Sequence, residues 1–180
     1  MNIANKLTVL RIFLIPVFLV FLLTDFVAYS NEIALGIFIA ASLTDALDGH
    51  LARSRNLITN FGKFLDPVAD KMLVCSALIA LVELSILPSW VVIVIISRDF
   101  ILMTFRMLAS SSNVVIAADK VGKIKTILQM VMIIYLLLGF GGELMAPVTY
   151  GLIWSVVLLT VISALNYIVK NISVLDLSNI

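Results

Sequence analysis

Runs of about twenty predominantly apolar residues recur along this chain, and that length is what a helix needs to cross the ~30 Å hydrocarbon core of a bilayer. Six such runs can be drawn: Leu7 to Tyr29, Ile33 to Ala52, Pro67 to Leu87, Trp90 to Leu108, Ile124 to Phe140, and Pro147 to Val169. With 62% hydrophobic residues and a mean hydropathy of +1.18, the 180 residues cannot form an ordinary soluble globule. The sequence predicts an all-α, polytopic membrane protein: six transmembrane helices in a single membrane domain over residues 1–180. Short connections make neighbouring spans antiparallel. The opening MNIANKLT is too short to span and is expected as an interfacial segment ahead of the first helix. The first apolar run has no small-residue cleavage site after it, so no signal peptide is expected.

Charge orients these spans. Lys6 and Arg11 lie at the start, Arg53, Arg55, Lys63 and Lys71 surround the second connection, Lys120, Lys123 and Lys125 occupy the fourth, and Lys170 follows the last span. The other connections carry Asp25, Glu32, Glu83 and Glu143 but no Lys or Arg. The positive-inside rule then puts both termini and the second connection in the cytoplasm. A net charge of +1 without a broad basic stripe gives no reason to expect a nucleic-acid partner. The single Cys75 cannot form an intrachain disulfide.

Against this background the segment DALDGHLARSRNLITNFGKFLDPVAD, Asp45 to Asp70, is anomalous, because it sets four aspartates beside apolar runs. A charged side chain at a helix centre costs about 2.5–3.5 kcal/mol on insertion scales. Asp45 and Asp48, three apart, share a helical face; Asp66 and Asp70, four apart, do so if the third helix includes both. Pro67 suits a helix's first turn, where its missing N–H would be unpaired anyway. Both pairs fall near the cytoplasmic ends of adjacent antiparallel helices and can converge at similar depth. Four ionised carboxylates in one cleft repel each other unless cations intervene, and an oxygen-only donor set favours hard divalent ions such as Mg²⁺, Mn²⁺ or Ca²⁺. Two such ions ~3.5–4 Å apart would clamp a phosphate undergoing displacement. Gly49, Ala52 and Gly62 leave room for close approach, and Arg53 and Lys63 bring positive charge beside that gap.

The segment reads D-x2-D-G-x2-A-R-x8-G-x3-D-x3-D and so resembles the signature of the CDP-alcohol phosphatidyltransferases, with every fixed position occupied. The resemblance implies a six-helix enzyme of the bacterial inner membrane that moves a phosphatidyl group from CDP-diacylglycerol to an alcohol, releasing CMP. It further implies that Asp45, Asp48, Asp66 and Asp70 hold two divalent cations, Mg²⁺ or Mn²⁺, and that Asp70 also accepts the proton of the attacking hydroxyl. Gly49, Ala52, Arg53 and Gly62 would line the site for the CDP-lipid, with Lys63 beside them, and the protein would be a homodimer.

The motif does not choose the acceptor. The opening MNIANKLTVLR, the segment GKFLDPVADKMLV, SRDF followed by Arg106, and VGKIKT resemble bacterial family members whose acceptor is sn-glycerol 3-phosphate. That dianion needs its own cationic pocket, for which Arg98, Arg106, Lys123 and Lys125 are the candidates. Arg98 lies well inside its span and is expected to face a polar interior. Asp99 stands where the resemblance leads to an expectation of Glu, and Asn5, Thr8 and Arg11 also match the start of such enzymes. The alternatives are the same chemistry with inositol phosphate, serine or phosphatidylglycerol as acceptor. A cation transporter is more remote, since a transport path predicts acidic residues at successive depths rather than gathered toward one face.

Overall fold

The computed structural model describes residues 3–24, 27–54, 60–111, 120–139 and 145–171, with side chains omitted at 3–5, 45–54, 60–64, 66–67, 108, 110–111 and 120. All regular structure among them is helical: α1 (Ile3–Leu23), α2 (Ser30–Ser54), α3 (Asn60–Glu83), α4 (Ser89–Ser111), α5 (Lys120–Leu137) and α6 (Ala146–Asn171). At 1.5 Å per residue these helices are about 27–39 Å long, matching the thickness of a bilayer core. Among the described residues two stretches, Lys6–Leu23 and Ala146–Asn171, are long and apolar enough on their own to cross a membrane, and Ser30–Thr44 is a shorter apolar stretch.

The boundaries depart from the sequence reading in several places; α1 ends at Leu23, six residues short of the expected Tyr29. Residues from Ile3 onward, expected as a separate interfacial segment, run straight into α1, since no Gly or Pro breaks the helical ladder before Pro16. The third helix begins at Asn60, so Pro67 lies in its interior rather than its first turn, and α3 takes in Gly62, Lys63, Asp66 and Asp70 together. The fifth begins at Lys120, which makes Lys123 and Lys125 helical. The turn expected at Gly141 and Gly142 lies outside the described residues; just before it, Gly139 adopts a left-handed φ of 75° after α5, a conformation glycine takes at no steric cost.

Turn chemistry accounts for two further helix ends. The Val27 N–H donates to Ser30 Oγ (3.1 Å) and the Ser30 hydroxyl donates to the Val27 carbonyl (2.9 Å), fixing the entry to α2. At the end of α3 the Ile86 N–H reaches back to the Leu81 carbonyl (2.9 Å) around Ser85, whose φ is 58°, and Pro88 then forbids continuation.

The chain forms two compact units, Met1–Leu87 with Leu137–Gly139, and Pro88–Leu136 with Phe140–Ile180. In the first, α1 packs against both α2 and α3. Buried alanines, Ala34 and Ala41 on α2 and Ala69 and Ala77 on α3, let helices approach closely around Phe18 and Phe38, whose rings lie 5.7 Å apart. In the second, α4 packs on α6, and Val91, Ile95 and Leu102 on α4 and Ile153, Val156 and Val157 on α6 are buried. The pairs Trp90 with Trp154, Arg98 with Ser163, and Phe105 with Tyr167 advance in the same sense, so α4 and α6 run parallel. Parallel α4 and α6 are what successive membrane crossings by α4, α5 and α6 would produce. The outward faces are apolar too: Phe13, Val20, Leu43, Ile79, Ile93, Ile127, Leu158 and Leu165 are all exposed.

Candidate functional site

The acidic constellation belongs to the first unit and straddles the connection between α2 and α3. Asp45, Asp48, Gly49, Ala52 and Arg53 lie in the last turns of α2, and Gly62, Lys63, Asp66 and Asp70 in the first turns of α3. Asp48 is six residues from the end of α2 and Asp66 six from the start of α3, so each backbone sits about 9 Å into its helix. Asp45 and Asp70 are nine and ten residues in, again a matched pair, and the two helices are in contact. Matched depth on packed neighbours is what a shared carboxylate site requires. The side chains at 45–54, at Gly62 and Lys63, and of Asp66 lie outside the described residues. Asp70 is partly exposed, and its Oδ2 lies 3.4 Å from Lys71 Nζ. Carboxylate oxygens, as a residue type, suit hard divalent cations.

The first unit also buries a cation beneath this segment. Arg11 is only 1% exposed, and its Nε–H donates to the Ala41 carbonyl at 3.2 Å. The same carbonyl accepts the Thr44 hydroxyl at 2.7 Å. Ala41 is one helical turn before Asp45, so Arg11 ties α1 to α2 directly ahead of the first acidic pair. Thr8, one turn from Arg11, is fully buried as well. The structure thus places both in the packed core of the unit.

The second unit gathers the cationic candidates unequally. Asp99 is 7% exposed, and its Oδ1 accepts hydrogen bonds from Arg98 Nη1 (3.0 Å) and Lys125 Nζ (2.7 Å). Arg98 Nη2 donates across to Ser163 Oγ on α6 at 2.9 Å. One buried carboxylate therefore holds two cations from α4 and α5, and α6 fixes the arginine's far edge. Gly122 makes room for this: a Cβ there would stand 3.2 Å from Arg98 Nη2. Arg98 Nε, buried, makes no hydrogen bond among the described residues. Arg106 is exposed and lies two turns further along α4, its guanidinium carbon 5.7 Å from the centre of the Tyr167 ring. Lys123 is exposed and, two residues from Lys125, on a different face of α5.

Ser163, Tyr167 and Gly122 escape a reading of the sequence, because nothing in an apolar helix marks which small or aromatic residue meets a neighbour's arginine. The one available signal is weak: Ser163 and Tyr167 are four apart and hence on one face of α6. The bridging role of Asp99 is likewise invisible before α5 is docked.

Comparison with known proteins adds to this geometry. The CDP-alcohol phosphatidyltransferase family model matches residues 1–162. The chain is 42% identical to CDP-diacylglycerol--glycerol-3-phosphate 3-phosphatidyltransferase of Bacillus subtilis, over 99% of both chains. It is 40% identical to the probable phosphatidylglycerophosphate synthase of Mycobacterium tuberculosis, over 94% of this chain and 81% of that one. A Rickettsia felis CDP-diacylglycerol--glycerol-3-phosphate 3-phosphatidyltransferase is 33% identical over 92% and 93%. With a family model spanning most of its length and relatives aligned along nearly all of it, the chain belongs to the CDP-alcohol phosphatidyltransferase family.

Proposed function

We propose that this protein transfers the phosphatidyl group of CDP-diacylglycerol to sn-glycerol 3-phosphate, giving phosphatidylglycerophosphate and CMP. The observation that carries the choice of acceptor is the 42% identity, end to end, with a relative named for that reaction. The buried Arg98–Asp99–Lys125 cluster supports it, since a dianionic acceptor needs a cationic pocket held away from lipid.

The chain crosses the bacterial inner membrane six times as one domain, with both termini and the α2–α3 connection in the cytoplasm. Six helices of bilayer length, apolar outward faces and the gathering of Lys and Arg, Arg98 and Arg106 inside α4 excepted, toward the termini and alternate connections support this topology. The charges the chemistry would use sit on four of the helices: Asp45 and Asp48 on α2, Asp66 and Asp70 on α3, Arg98 and Asp99 on α4, Lys123 and Lys125 on α5.

Asp45, Asp48, Asp66 and Asp70 hold two divalent cations, Mg²⁺ or Mn²⁺. Bound there, the cations would offset the negative charge of the diphosphate and of the departing CMP. Gly49, Ala52 and Gly62 let the nucleotide approach the backbone, with Arg53 and Lys63 beside its phosphates. Arg98, Arg106 and Lys125 are the cations that would bind the acceptor phosphate, Lys123 standing on another face of α5, and the acceptor hydroxyl attacks the lipid-bearing phosphorus. Asp70 takes the hydroxyl proton as the new O–P bond forms, and the O–P bond to CMP breaks, its electron pair leaving with the nucleotide. Polar CMP departs to water while the acyl chains stay in lipid, which is why the site belongs at the cytoplasmic end of α2 and α3. The homodimer that the family resemblance implies is part of the same proposal.

The test is an acceptor panel. Purified protein, CDP-diacylglycerol and Mg²⁺ or Mn²⁺ are supplied with glycerol 3-phosphate, inositol phosphate, serine or phosphatidylglycerol, and CMP release is measured. Release with glycerol 3-phosphate well above the others is expected; preference for any other acceptor overturns the assignment.

A further inference from the structure

Along the packed face of α4 and α6, three kinds of hydrogen-bond donor stand unused. The Tyr167 hydroxyl is buried on a residue only 2% exposed and has no hydrogen-bond partner among the described residues. Arg98 Nε is in the same condition. The Arg106 guanidinium lies over the Tyr167 ring and makes no hydrogen bond or ion pair among the described residues. An unsatisfied buried hydroxyl is costly, and a phenylalanine at this position would fill the same space without it. The ring itself is held on two sides: it forms a T-shaped pair with Phe105, centroids 6.5 Å apart at 85°, and Arg106 covers it from α4. Tyr167 is one helical turn beyond Ser163, which anchors Arg98, so the orphaned groups lie along a single strip.

Several fixed donors with little competing acceptor capacity are what a phosphomonoester recruits, because its oxygens accept from many directions at once. We propose that the Tyr167 hydroxyl is a ligand of the acceptor phosphate, donating a hydrogen bond to sn-glycerol 3-phosphate beside Arg106. This rests on the acceptor assigned above and adds α6 to the elements that read it. The same donors could meet a phosphate of the CDP-lipid, and the two sources separate kinetically.

The experiment compares full-length wild type with Tyr167→Phe, measuring CMP release while each substrate is varied in turn. Because the ring stays under Arg106, only the hydroxyl is lost. The expected result is a rise of about tenfold in KM for glycerol 3-phosphate, an unchanged KM for CDP-diacylglycerol, and weaker competitive inhibition by inorganic phosphate. The thermal midpoint in detergent should hold or rise, since the variant removes a buried hydroxyl that has no protein partner. An unchanged acceptor KM overturns the inference, as does a change confined to the CDP-lipid. A fall of several degrees in the midpoint would assign the hydroxyl a structural role and also overturn it. Wild type that releases no CMP with glycerol 3-phosphate would defeat the acceptor reading itself, a result visible before any variant is made.

Discussion

Asp99→Asn is the sharpest perturbation of the second unit, because it keeps the shape of the side chain and removes the charge between two cations. Asp99 Oδ1 lies 3.0 Å from Arg98 Nη1 and 2.7 Å from Lys125 Nζ, and the three side chains are 6%, 12% and 1% exposed. Taking one member out of a buried ion pair costs about 3–5 kcal/mol, because the charges left behind are stranded in a poor solvent. At about 2–4 °C per kcal/mol for a chain of this size, the thermal midpoint should fall by about 6–20 °C. Tryptophan fluorescence in detergent reports it directly, since Trp90 and Trp154 lie 5.6 Å apart in the same unit. The double variant Asp99→Asn with Lys125→Met should recover a good part of the loss by removing the surplus cation, yet still use glycerol 3-phosphate poorly. A midpoint within about 2 °C of wild type for Asp99→Asn, or a double variant whose losses simply add, would refute the coupling.

Other expectations follow from single contacts. Asp66→Asn and Asp70→Asn should each abolish CMP release while the protein still melts cooperatively in detergent; near-normal turnover by purified Asp70→Asn would remove its assignment as the base. Arg11→Ala should cost about 2–5 kcal/mol in the same melt, because Arg11 is among the largest fully buried side chains and ties α1 to the Ala41 carbonyl; a loss below about 1 kcal/mol would count against that role. Gly122→Ala should leave stability within about 1 kcal/mol, since helix propensity gained offsets crowding. It should nevertheless raise the acceptor KM, because its Cβ would stand 3.2 Å from Arg98 Nη2.

Hydropathy located all six helices, since bilayer-length apolar runs admit few other interpretations, and spacing alone singled out the four aspartates. Boundaries were harder to read. Asn60 to Asp66 looks like a polar loop before Pro67, but the structure carries the helix through it, and nothing in the local sequence announces that. The cationic candidates were found by type and depth, while their grouping depends on rotation about α4, α5 and α6. Lys123 and Lys125 are equivalent as letters in VGKIKT, yet one is exposed and the other fully buried on Asp99. Ser163 and Tyr167 differ in composition from nothing around them that a hydropathy plot would register; only the packing of α4 on α6 gives them arginines to meet.

The aspartates of α2 and α3 are proposed to hold hard cations against a diphosphate. This role is tested most directly by following CMP release from CDP-diacylglycerol and glycerol 3-phosphate before chelation, after it, and after Mg²⁺ or Mn²⁺ is returned. Loss to background on chelation and full recovery on return of either ion are expected. Turnover that continues undiminished in the chelator would contradict it.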